Sequence, residues 1–197
     1  MWVFSRFPDD GASLRRTLFP SPLSSTFGRY NKRNEQVMLL QMLDLIRISG
    51  VAIAFFFGYQ IGFAAGGYNP VAQLHFMIPI IIVAIAGISG FEGIFFAQKS
   101  AALKGFEVGS NYQRQSAFAL LSYAASAIIV YVFNWGIKAE LAVLFAFVFF
   151  FFFSGINHGI DAVRRKNYKW QNINRPFITL LLIAGLIYPV IKALQSF

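Results

Sequence analysis

Residues 76–97 read FMIPIIIVAIAGISGFEGIFFA, an apolar run broken by a single carboxylate, and this stretch decides the fold. Eighteen such residues rise about 27 Å as a helix, close to the hydrocarbon thickness of a bilayer. Comparable runs flank it at Ile48–Ala65, Ala117–Phe133, Leu141–Ile156 and Phe177–Ala193. With 57% hydrophobic and 13% charged residues, the chain is too apolar to cover a soluble domain. The sequence therefore predicts an all-α, polytopic transmembrane helix bundle of about five spans. Residues 45–197 form this membrane domain, and residues 1–44 form a basic, Pro- and Ser-containing tail.

Basic residues give the expected direction. Of 17 Lys and Arg, 15 fall before the first span, Arg47 included, and in the connections after the second and fourth spans. By the positive-inside bias this side is cytoplasmic (or an organelle matrix), and the C-terminus lies outside. A four-span arrangement breaks the alternation. The expected location is an inner, cytoplasmic-type membrane. The net charge of +9 then reflects membrane lipid as a partner, not nucleic acid. The chain has no cysteine, which excludes disulfides, thiolate metal sites and cysteine nucleophiles.

The tail carries Pro8, Pro20 and Pro22 and shows no long helical or strand period. Asp9 and Asp10 count against a transit peptide. Val37–Arg47 reads as an amphipathic lead-in, and Met38 competes with Met1 as the start residue.

Gly58, Gly62 and Gly66 recur at four-residue steps, a spacing that lets another helix approach closely, within the chain or across a dimer seam. Gly87, Gly90 and Gly93 recur at three, and the third span is rich in Ala and Ser. The first three spans should pack tightly. The fourth instead carries Phe149, Phe150, Phe151, Phe152 and Phe153, which suggests a peripheral helix with a face for lipid or a partner. Tyr68, Tyr131, Trp135 and Tyr188 at one end, and Tyr112 and Trp170 at the other, read as interfacial anchors. Pro79 and Pro176 fall near span starts, where a missing N–H costs little, and Pro189 should kink the fifth span.

Polar groups inside spans need a reason, since a central carboxylate costs about 2.5–3.5 kcal/mol on insertion scales. Glu92 is the clearest. His158 and Asp161 share a helix face at a three-residue step, Gln113 and Arg114 open the third span, and Asn172 and Asn174 open the fifth. All fall at one depth. As a site, Glu92, His158 and Asp161 would bind a divalent cation or relay a proton. As a structural network, Glu92 would pair with Arg114 and His158 would cap helix ends. His75, at the other end, is a solvated interfacial residue or a haem or chlorophyll ligand. Phosphate loops, nucleophile elbows and His-Glu-x-x-His helices are absent.

Tyr112-Gln-Arg-Gln-Ser-Ala-Phe-Ala119, the Gly155-Ile-Asn-His158 ending of the fourth span and the Asn-rich loop Asn167–Asn174 resemble an uncharacterised family of small bacterial and archaeal integral membrane proteins. The resemblance covers about residues 91–189. That family's pattern has an acidic residue near Gln115, where this chain has none, and it implies no activity.

Without a paired nucleophile and base, the expectation is a protein that is not an enzyme. It is a non-catalytic accessory or structural subunit of a larger, energy-transducing membrane complex, in contact with other subunits and lipid. The alternative is an autonomous bundle that binds or moves a small cation or proton through the polar cluster. No cofactor is required by the sequence, although the 24 Phe suit lipid, pigment or quinone contact.

Overall fold

The computed structural model describes residues 22–64, 66–104, 111–168 and 170–197, with side chains described from residue 35 onward except at 36, 103, 104 and 170–172. No strand occurs among the described residues. The chain divides into two units, Met1–Val37 and Met38–Phe197, and the second holds the helix bundle. Its helices are α1 (Pro22–Phe63, which begins in the first unit), α2 (Pro70–Ile82), α3 (Ile88–Phe95), α4 (Ala97–Lys104), α5 (Asn111–Val132), α6 (Ile137–Arg164) and α7 (Trp170–Leu194). Five stretches are long and apolar enough to cross a membrane: Val37–Phe63, Pro70–Phe95, Asn111–Val132, Ile137–Arg164 and Ile173–Leu194. The chain thus has the build of a multi-pass membrane protein.

The tail departs from expectation because helix begins at Pro22. A proline in the first helical position is already set at the helical φ, and no other proline follows before Pro70. The second span also starts earlier than its apolar run. Asn69 accepts a hydrogen bond from the Ala72 amide at 3.0 Å, and Pro70 occupies the first turn. Pro79 therefore lies well inside α2, and Pro176 lies inside α7.

The span Pro70–Phe95 is the centre of the bundle. Leu74, Met77, Ile78, Ile81, Ile82 and Ile85 are fully buried, and at steps of three and four they form one broad inward face. Between α2 and α3, Val83–Gly87 is a π-helical turn in which the Ile88 amide donates to the Val83 carbonyl, five residues back.

Small residues carry the packing. A Cβ on Gly58 would stand 2.2 Å from Met77, and one on Gly62 would stand 2.7 Å from Gln73, so these glycines seat α1 on α2 within one chain. Gly66 does not share that role. It lies past the end of α1 at φ +71° with nothing within 4 Å, and serves the turn. Gly90 and Gly93 seat α3 on Ala117 of α5. Phe55 lies over Gly185, and the Tyr59 hydroxyl donates to the Gly185 carbonyl at 3.0 Å, tying α1 to α7.

The expected peripheral fourth span is corrected. α6 packs on α2, α5 and α7, with Phe147 fully buried, whereas the apolar window of α1 is only 6% buried. Five consecutive residues turn through all azimuths of a helix, so Phe149–Phe153 cannot form one face. Phe149 and Phe153 are exposed, while Phe150, Phe151 and Phe152 are half-buried.

These contacts separate two close-packed glycines. Gly90→Ala would drive its methyl to 2.9 Å from the Ala117 carbonyl and 2.7 Å from Leu121, whereas Gly87→Ala meets only ordinary contacts at 3.5 Å. Gly90→Ala should cost about 1–3 kcal/mol and lower the melting temperature in detergent, with Gly87→Ala near wild type.

Candidate polar cavity at the basic end

α1 and α3 bring an arginine and a carboxylate together below the π turn. Arg47 donates to Glu92 Oε2 at 3.0 Å and also pairs with Asp44, while the Ser100 hydroxyl of α4 donates to Glu92 Oε1. Glu92 is 4% exposed, so its charge is held by a partner and not by water. The structural partner of Glu92 is thus Arg47, with Arg114 exposed on α5.

On the other side of the same space, Arg175 of α7 donates to His158 Nε2 of α6 at 2.7 Å. That bond requires an unprotonated Nε2, which leaves the ring proton on Nδ1. One turn on, Arg165 donates to Asp161 at 2.8 Å, an exposed guanidinium on a half-buried carboxylate. Gly155 makes room for this corner: a Cβ there would press on Thr179 at 3.1 Å, whose hydroxyl donates to the Arg175 carbonyl at 2.8 Å.

Between these groups lies a cavity of about 650 Å³. Glu92, His158, Asp161, Arg165 and Arg175 line it together with Tyr112 and Gln113 from the first turn of α5. Ser89, Ser116, Ser154 and Asn157 add hydroxyl and amide groups, and Leu120, Phe150 and Phe153 give it an apolar flank. Its size is that of a small-molecule site. Of the residues anticipated from sequence, Glu92, Gln113, His158 and Asp161 meet here. Arg114 and Asn174 are not in the lining, and the Asn172 side chain lies outside the described residues.

The divalent-cation reading gains no support from the geometry. Among the described residues no three of His, Asp and Glu come together to hold a metal ion. Glu92, Asp161 and His158 each face an arginine instead, and a guanidinium repels a cation from the ligand it occupies.

A second polar pair lies at the opposite end. His75 Nδ1 is 2.6 Å from Glu140 Oε1, and the imidazole lies 4.8 Å from the Tyr131 ring. Glu140 is 2% exposed, and its Oε2 has no hydrogen-bond partner among the described residues. Sequence reasoning passed over Glu140, which stands in the first turn of α6, where a carboxylate suits the helix dipole. Gln73 is also fully buried, its amide donating weakly to Met77 Sδ at 3.5 Å.

Residues 48–196 match the model of a family of unknown function, DUF6790, and the chain belongs to that family. No curated protein and no solved structure matches the chain.

The ion pair gives a test. Arg47→Met leaves the Glu92 carboxylate buried without its cation and should destabilise the protein by about 3–5 kcal/mol. Adding Glu92→Gln to Arg47→Met should restore most of the loss, read as melting temperature in a double-mutant cycle.

Proposed function

We propose that this DUF6790 member is a non-catalytic, multi-pass membrane protein that works by holding a small ligand in the cavity at its basic end. The carrying observation is the cavity itself: convergent guanidinium, imidazole, hydroxyl and amide groups beside an apolar flank. Such a lining binds and orients. The carboxylate that accepts from the Ser100 hydroxyl is itself bound by Arg47, so binding is the function the geometry supports best. By charge bias the cavity faces the cytoplasm and the C-terminus the outside.

A second reading, accessory subunit of a larger membrane complex, is favoured by α1. A span whose apolar window is 6% buried within its own chain has most of its surface left for lipid or another helix.

The absence of cysteine makes both readings testable by single-thiol variants. Ser154→Cys, in the cavity wall, should react with a membrane-impermeant maleimide only after cells are opened, whereas Ser196→Cys should react in intact cells. The reverse pattern would overturn the orientation, and no reaction at Ser154→Cys on either side would overturn an accessible cavity. Native mass of the gently extracted protein then separates the readings: a retained small molecule supports the ligand site, and stoichiometric foreign chains support the subunit.

A further inference from the structure

The charges around the cavity cancel. Within the lining, Glu92 and Asp161 balance Arg165 and Arg175, and behind it Arg47 spans Asp44 and Glu92. Asp161 holds Arg165, and Arg175 donates to His158. An ionic ligand would add a charge without a counter-charge, or would have to displace a guanidinium or a carboxylate from its present partner. The lining thus discriminates against ions of either sign.

What it holds out to a ligand is uncharged. Ser89 of α3, Ser116 of α5 and Ser154 and Asn157 of α6 place hydroxyl and amide groups along the cavity. Such groups both donate and accept, so they suit a hydroxyl or a carbonyl oxygen.

The apolar flank belongs also to the outside of the bundle. Phe149, Phe153, Ile156 and Ile160 recur at helical steps of four, three and four on α6 and are all exposed, which makes them one outer stripe. Of these four, Phe153 also lines the cavity. One turn deeper, Tyr123 of α5 lies 5.5 Å from Phe150 and 6.2 Å from Phe147, so aromatic rings tie α5 to α6 there. In a membrane the outer stripe meets acyl chains, and Phe153 is then a surface shared by bilayer and cavity.

We infer that the cavity takes an uncharged amphiphile, a molecule with a hydroxyl- or carbonyl-bearing head and an apolar tail, its head on Ser116 and Asn157 and its tail over Phe153. This deepens the ligand-binding reading above and rests on it.

The full chain carrying Ser154→Cys is placed in nanodiscs of phosphatidylcholine, alone or doped with dioleoylglycerol or with dioleoyl phosphatidic acid. The two dopants share their chains and differ in head charge. Alkylation by the neutral reagent N-ethylmaleimide is timed, with Gln115→Cys, exposed on α5 outside the lining, as the control for changes in the bilayer itself. Dioleoylglycerol should slow the Ser154→Cys reaction about tenfold more than that of the control, the worth of one or two neutral hydrogen bonds. Phosphatidic acid should slow it no more than the control. Ser116→Ala combined with Asn157→Ala should remove most of the protection, and glycerol, a head without chains, should protect little.

Equal rates with and without dioleoylglycerol, equal protection by phosphatidic acid, or protection unchanged in the double variant would overturn the inference. Protection by glycerol equal to that by the lipid would also overturn it, while keeping the cavity as a site for a small neutral solute. A thiol that never reacts would sink the accessible cavity itself, and the ligand-binding reading with it. Should a variant fail to fold, native mass of the unaltered chain offered both lipids in equal amount decides: retained dioleoylglycerol supports the inference, and retained phosphatidic acid or neither lipid overturns it.

Discussion

Every other span of the bundle is laid against one helix, the span Pro70–Phe95. From Leu74 to Ile85 the central span buries one broad apolar face fully and the rest of its surface in part, with contacts to α1, α5, α6 and α7. In lipid, apolar surface alone gives no reason for helices to associate, because acyl chains are as apolar as leucine. Close approach supplies the reason instead. Gly58 and Gly62 on α1, and Gly90 and Gly93 on α3, bring backbones near enough for dispersion contacts that a larger residue would forbid.

Much of this architecture was legible in the chain, and for a physical cause. Crossing a bilayer demands a long apolar run with its hydrogen bonds closed internally, so spans announce themselves in composition. Span boundaries were less legible. The Asn69-Pro70 pair reads as loop by residue type, yet it caps a helix that starts before the apolar run. The phenylalanine run misled because residue type was read without azimuth. Five bulky neighbours look like a face in a written sequence and surround the axis in space.

The cavity was half legible. Glu92, His158 and Asp161 stood out as polar groups inside apolar spans, and they do border one space. Their partners did not stand out. Arg47 sits at the head of the first span, where it counts as one more basic residue in a topology argument, and its pairing with Glu92 bridges 45 positions of sequence. Arginine fills this role where lysine would not, since one planar guanidinium reaches both Asp44 and Glu92. The consequence for chemistry is large. Carboxylates that seem poised to collect a cation already have arginine partners.

The π turn at Val83–Gly87 acts as a phase element in the central span. It holds one residue more than an α-helical ladder would need over the same rise, and each residue advances an α-helix by about 100°. Everything from Ile88 onward is thereby clocked relative to the helix above it. With that offset, Gly90 and Gly93 point at Ala117 while Glu92 points at Arg47. Were the same residues to close as plain α-helix, composition, hydropathy and span length would be almost untouched. The glycines would nonetheless rotate off α5 and the carboxylate would leave the reach of its arginine, so in this helix the hydrogen-bond pattern of one turn is a determinant of the site as much as residue identity is.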